Sequence, residues 1–254
     1  MARGADPWRV TALGGGLVEP GDAGLRLALP SAGSDVYSDA QISDYAIRAD
    51  FRNRPPLRLS LRARAQGELK GTAGFGFWNH AFMPGQRSFR LPQAIWFFFT
   101  SRENDIALAR GIAGHGWKAA AINARDWRFL ALLPLAPLGF LLMRKRALYT
   151  ALWPIGQRAI GVSETQLDEA LLRDFHDYRI DWLAGSAIFA VDGVVVHSAE
   201  HVAPGPLGFI AWIDNQYAVA TPQGRFEWGL LPASSAQSLE ICNIQIRPLQ
   251  RGWL

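Results

Sequence analysis

The segment Tyr178–His197 constrains the fold more than any other part of the chain. Tyr178, Ile180 and Trp182 alternate with charged neighbours, the period-2 pattern of a strand with one buried face. Ile188–Val191 and Val194–His197 follow as apolar runs separated only by Asp192-Gly193. A two-residue Asp-Gly connection suits the type I′ turn, which needs positive φ at both positions and matches the twist of the paired strands. The segment therefore predicts a half-buried strand leading into an antiparallel hairpin.

Short runs of the same kind recur on both sides. Leu25–Leu29, Ala46–Phe51, Leu57–Ala63, Gly74–Trp78, Ile95–Thr100 and Trp117–Ile122 read as strands upstream. Gly208–Trp212, Phe226–Leu231 and Leu239–Ile246 do so downstream, with Gly, Pro and Asp between them. Many short strands with turn residues between them predict a sandwich or barrel, and the lack of a fixed-period repeat argues against a propeller or solenoid. At 254 residues and 49% hydrophobic, the chain has enough apolar material for one such domain over residues 1–254. Its 10 Trp and 14 Phe suffice for a core and for rings on a binding face. The net charge is only +4 and no basic repeat with interleaved aromatics is present, so nucleic acid is not an expected partner. Cys242 is the only cysteine and lies in an apolar-alternating run; no intrachain disulfide can form, and a buried, inert thiol is expected. The start, MARGADPWRV, lacks the apolar core of a secretory signal, so the expected location is cytoplasmic.

One stretch departs from the pattern. Phe129–Met143 is uniformly apolar and runs directly into Arg144, Lys145 and Arg146. It is short for a membrane span, and Pro134, Pro137 and Gly139 interrupt any helix within it. Ala147–Val162 also reads as helical, split by Pro154. Residues 125–173 are thus expected to form a hydrophobic helical insertion, either folded against the sandwich or dipping into one leaflet. In the second case Phe129, Leu133, Leu138 and Phe140 would enter the lipid. Arg144, Lys145 and Arg146 would meet headgroups, placing the protein peripherally on an inner membrane face.

The stretch Asp174–Ser198, DFHDYRIDWLAGSAIFAVDGVVVHS, resembles the F-H-x-Y-x-I-x-W … I-x-F-x-V-D-G run of family-16 glycoside hydrolases and their concanavalin A-like relatives. Gly74–Trp78 (GFGFW) resembles an upstream strand of that family, and Asp214, Asn215 and Tyr217 fall where it has a late strand crossing the cleft. The resemblance covers roughly Tyr37 to Ile246. It implies an all-β, concanavalin A-like jelly-roll sandwich of two antiparallel sheets. It also implies a retaining mechanism carried by E-x-D-x-x-E or E-x-D-x-E, whose outer carboxylates stand about 5 Å apart. In this sequence the corresponding strand reads Ala94-Ile95-Trp96-Phe97-Phe98-Phe99. Ala94, Trp96 and Phe99 then occupy the carboxylate positions, and neither nucleophile nor proton donor is present. Glu103-Asn104-Asp105 offers a second register, but Leu108 takes the last carboxylate's place and the segment reads as a turn.

With those carboxylates replaced, a family-like cleft would be aromatic. Trp78, Trp96 and Trp212 are its expected platform, with Asn215, Tyr217, His115 and Lys118 as further ligand contacts. Asp214 beside Trp212 is the expected acid, its pKa raised in an apolar cleft, and His80 is a second proton-donor candidate. No His or Cys pair has zinc-type spacing, so no metal or other cofactor is read from the sequence. The resemblance alone leaves room for a structural calcium on the convex face, held by carbonyls and an Asp. Three functions follow, in order. The first is non-hydrolytic binding of an amphipathic or hydrophobic ligand (a glycolipid, isoprenoid or glycan) at a membrane surface. The second is acid-initiated cyclisation, hydration or isomerisation of a hydrophobic substrate. The third is retaining glycoside hydrolysis.

Overall fold

The computed structural model describes residues 8–31, 33–45, 50–80 and 90–249. The first part supplies β1 (Arg9–Leu13), β2 (Leu17–Pro20), β3 (Leu25–Leu29), β4 (Asp39–Ser43), β5 (Leu57–Gln66) and β6 (Thr72–Trp78). Next come β7 (Gln93–Thr100), β8 (Asp105–Ile106) and β9 (Gly116–Asn123), then α1 (Trp127–Leu132), α2 (Ala136–Leu142) and α3 (Arg146–Ala159). The rest forms β10 (Ser163–Gln166), β11 (His176–Leu183), β12 (Ser186–Val191) and β13 (Val194–Glu200). It closes with β14 (Gly208–Asp214), β15 (Gln216–Ala220), β16 (Phe226–Leu230) and β17 (Gln237–Pro248).

Two large sheets result. The first has the order β1-β4-β14-β6-β7-β9-β10 and the second β13-β12-β11-β5-β17-β3-β2. Every pairing within them is antiparallel. Strand periodicity sorts the side chains. Phe75, Phe77, Phe97, Trp117 and Phe209 point from the first sheet into a core that Leu59, Tyr178, Ile180, Trp182 and Phe189 fill from the second. Rings meet edge to face, as Phe75 does with Tyr178 at 5.1 Å and Phe97 with Phe189 at 5.5 Å. Each such ring buried gives roughly 2–3 kcal/mol. The Trp182 indole N–H is satisfied by the Ala203 carbonyl at 3.0 Å.

The Asp-Gly turn forms as its sequence demands: Val191 pairs with Val194, and Asp192 and Gly193 have φ of 49° and 81°. Most expected strands are present with slightly different ends. Ala46–Phe51 falls largely outside the described residues. The strands β1, β2, β4, β10 and β15 carry no apolar run long enough to stand out in the sequence. The expected Phe226–Leu231 strand forms as β16, but in a small third sheet of order β16-β15-β8, with Phe226 and Trp228 exposed. On the outer face of the second sheet, arginines pair with carboxylates: Arg58 with Asp181, Arg62 with Asp177, and Arg64 with Glu240 at 2.7 Å.

The insertion lies between β9 and the edge strand β10. Asp126 caps α1, accepting from the Arg128 N–H at 2.9 Å. The uniformly apolar run becomes α1, a 3-10 turn at Leu133–Leu135, and α2. Pro134 and Pro137 start the turn and the second helix, positions where a missing N–H costs nothing. Contrary to the expected split, α3 continues through Pro154. The carbonyl deprived of its partner there is that of Thr150, which is exposed to water. Among the described residues, no helix is long and apolar enough to cross a membrane.

Candidate functional site

The face of the first sheet turned away from the core carries the aromatic residues. Strand alternation presents Trp78 and Gly76 from β6, Ala94, Trp96 and Phe98 from β7, and Ile210 and Trp212 from β14. Gly74 and Gly76 leave the middle strand bare; a Cβ on Gly74 would approach the Trp212 ring to 3.0 Å. The neighbouring rings close over that gap. Trp96 stacks on Phe98 at 5.0 Å and 18°, and lies 5.2 Å from Trp212 and 6.0 Å from Trp78. Trp78 and Trp212 are buried by this packing, whereas Trp96 and Phe98 remain half-buried. The rings therefore form a filled layer with an open Trp96–Phe98 surface, rather than the open cleft that the sequence led us to expect.

One end of the layer is acidic. Asp214, the last residue of β14, pairs in register with Asp39 of β4 on one side and Thr72 of β6 on the other. Asp214 Oδ1 accepts from the Thr72 hydroxyl at 2.8 Å and the Gln216 N–H at 3.1 Å. The Thr72 hydroxyl in turn accepts from the Trp212 indole N–H at 2.9 Å. Burial holds the Asp214 carboxyl up at about 7, against the pull of these hydrogen bonds. Asp39 is 1% exposed, neither carboxylate oxygen has a hydrogen-bond partner among the described residues, and burial together with Asp214 drives its pKa well up. Tyr37, beside the pair, is likewise pushed up by burial and by the two carboxylates. The arrangement can hold a proton at neutral pH next to an indole.

The other end is built on Tyr45. Its hydroxyl accepts from the Trp78 indole N–H at 2.6 Å and lies 3.1 Å from His80 Nδ1. The phenol donates to Nδ1 in the Nε2-protonated tautomer of His80 and accepts from it in the Nδ1-protonated one. Burial, and then Arg90, lower the His80 pKa to about 4. The imidazole is therefore neutral at pH 7. At the β9 side, Lys118 is buried beside Phe98 and pairs with Glu164 at 3.4 Å.

The structure thus brings together Trp78, Trp96, Trp212, Asp214, Lys118 and His80 on one face. It does not bring in the other three expected contacts. Asn215 is fully buried, and its amide is used up between the Ser38 N–H and the carbonyls of Gly33, Val36 and Leu231. Tyr217 stands in the small sheet, donating to Glu227 at 2.7 Å. His115 sits in the turn before β9. The strand β7 carries no carboxylate, and its outward residues are Ala94, Trp96 and Phe98. Phe99 points into the core, so the wider spacing assumed from the sequence does not hold on a regular strand. Glu103 lies in the turn after β7 with its carboxylate on Lys70 at 2.9 Å. The residues missed in the sequence are Asp39, Tyr37 and Tyr45. Asp39 begins the five-residue strand DAQIS, whose alternation is legible only once its buried neighbours are known.

Of the expected membrane residues, Leu133, Leu138, Arg144, Lys145 and Arg146 are exposed, and Phe129 and Phe140 are half-buried. A cavity of about 550 Å³ lies away from the aromatic layer, between α3 and the β10–β13 edge, with Arg110, Arg158 and His201 in its wall. Among the described residues, no three His, Cys, Asp or Glu converge as metal ligands. On the outer face of the second sheet Asp177, Asp181 and Glu240 each lie against an arginine, a donor set that does not fit calcium.

This architecture, two seven-stranded antiparallel sheets around an aromatic core, is that of the concanavalin A-like sandwiches. A legume lectin-like domain from Entamoeba histolytica overlays with a TM-score of 0.51 at 10% identity, covering 96% of this chain and 90% of the other. A Crh5 transglycosylase in complex with NAG gives 0.50 at 11% identity, over 96% of this chain and 79% of that one. A β-glucanase from Bacillus licheniformis gives 0.46 at 11% identity, over 96% and 92%. No protein-family model and no curated protein matches the sequence. At these identities the first two likenesses establish the fold alone.

Proposed function

We propose that the protein binds, without hydrolysing it, an amphipathic ligand laid across the Trp96–Phe98 surface, at a membrane. The observation that carries this reading is the half-exposed stack of Trp96 on Phe98, on a strand that bears no carboxylate. A flat aromatic pair accepts the apolar face of a sugar ring or a prenyl or acyl chain equally well. The fold's likeness to a lectin-like domain and to a transglycosylase with bound NAG supports a glycan as the polar part. Native mass spectrometry after organic extraction should identify a bound amphiphile, and a glycan pull-down should retain the protein while releasing no reducing ends. Trp96→Ala is expected to weaken binding about tenfold, roughly 1.4 kcal/mol. Unchanged binding by that variant, or release of reducing ends, would count against the reading.

A second reading is favoured by the acidic end. A protonated Asp214 beside Trp212 could initiate cyclisation, hydration or isomerisation of a hydrophobic substrate, the rings stabilising a cation. Turnover of an extracted ligand that stops in Asp214→Asn would establish it in place of simple binding.

A further inference from the structure

We infer that the insertion and the β15–β16 hairpin together form one docking face for an anionic lipid bilayer. This rests on the membrane-surface part of the proposed function and adds a second segment and an orientation to it. Trp127 is 70% exposed, and Leu135, Leu138 and Leu141 stand out along the insertion. Eighty-odd residues further along the chain, Trp228 is 78% exposed and Phe226 nearly as open. The two segments meet: the Phe140 and Phe226 rings lie edge to face at 5.5 Å, and a Cβ on Gly224 would stand 2.9 Å from Phe140 Cβ. Glu227, between the exposed rings, is turned to the other side of β16 and held by Tyr217. An exposed apolar surface assembled from two distant segments is more than scattered surface hydrophobicity.

Charge selects the occupant. From Trp127 to Ser163 the chain holds Arg128, Arg144, Lys145, Arg146 and Arg158 and no carboxylate. Arg144, Lys145 and Arg146 are exposed at the α2–α3 turn, and none of the salt bridges among the described residues involves them. A second copy seated on this face by a two-fold axis would bring these cations against their own copies. An anionic headgroup layer neutralises them while the rings and leucines enter the acyl boundary. Since no described helix is long and apolar enough to cross, the insertion lies in the interface. The strand β15 starts two residues after Asp214, so the docking hairpin is joined directly to the Asp39–Asp214 end of the aromatic face.

Vesicle co-sedimentation of the full chain tests this, with phosphatidylcholine alone and with phosphatidylserine added. Binding should require the anionic lipid. Phe226→Ser with Trp228→Ser, at exposed positions, should weaken it about tenfold, and Arg144→Gln with Lys145→Gln and Arg146→Gln should remove the preference for phosphatidylserine. Trp96→Ala should bind vesicles as the parent does, so failure of the ligand site and failure of the docking face are separable. Loss of binding only on changing the insertion, with the hairpin variant unaffected, would retain a membrane protein but overturn the two-part face. Absence of vesicle binding, or a dimer by light scattering that Trp228→Ser dissociates, would overturn the inference altogether.

Discussion

Asp214 and His80 stand at opposite ends of one aromatic layer, and burial acts on them with opposite sign. Folded Asp214 keeps its proton to about pH 7, whereas a free aspartate releases it near about 3.9. Between those values the folded state binds more protons than the unfolded one, so this group makes stability fall as pH rises, by an amount on the order of a few kcal/mol. Folded His80 stays neutral down to about pH 4, against about 6.5 when free; there the unfolded state takes up more protons, and stability rises with pH across that window. Asp214→Asn should shrink the falling limb, which Asp39 shares, and His80→Gln the rising one, which His197 shares, read as the denaturation midpoint between pH 4 and 8. A midpoint whose pH dependence is the same in Asp214→Asn as in the parent would show that Asp214 is not titrating as described. Trp78, Trp96, Trp212 and Asp214 were legible in the sequence because each sits at an alternating position of a recognisable strand. Asp39 was not, because a carboxylate is read as buried only when the strand across from it, here β14, is known.

At the level of elements, the β12–β13 hairpin is the place where sequence and geometry agree most fully. Gly193 has φ of 81°, and a β-branched residue there costs roughly 1–2 kcal/mol. Gly193→Val should lower the denaturant midpoint accordingly without changing the m-value; an unchanged midpoint would show that the turn can re-form. The insertion was legible as an apolar, basic-flanked block. Its path was not, because whether a proline breaks a helix depends on which turn it enters: Pro134 and Pro137 begin elements, and Pro154 is carried inside one. The expected Phe226–Leu231 strand gave no sign that its rings would be exposed, since alternation fixes which residues share a face and not which face is covered.

For the molecule as a whole, the sheets interleave distant parts of the chain: β17 lies between β5 and β3, and β14 between β4 and β6. Neither half can complete a sheet alone. Far-UV and near-UV circular dichroism should therefore report one coincident unfolding transition, and separated transitions would show that the halves fold independently.

The arginine–carboxylate pairs over the second sheet have a further effect. Arg58, Arg62 and Arg64 there each lie within 3.4 Å of Asp181, Asp177 or Glu240, so those three cations project little field into solvent. Arg144, Lys145 and Arg146 are exposed and in none of the salt bridges among the described residues, so positive charge is left unneutralised at the insertion. A particle charged in this way carries a dipole, and a negative surface turns it insertion-first while the two are still separated by water.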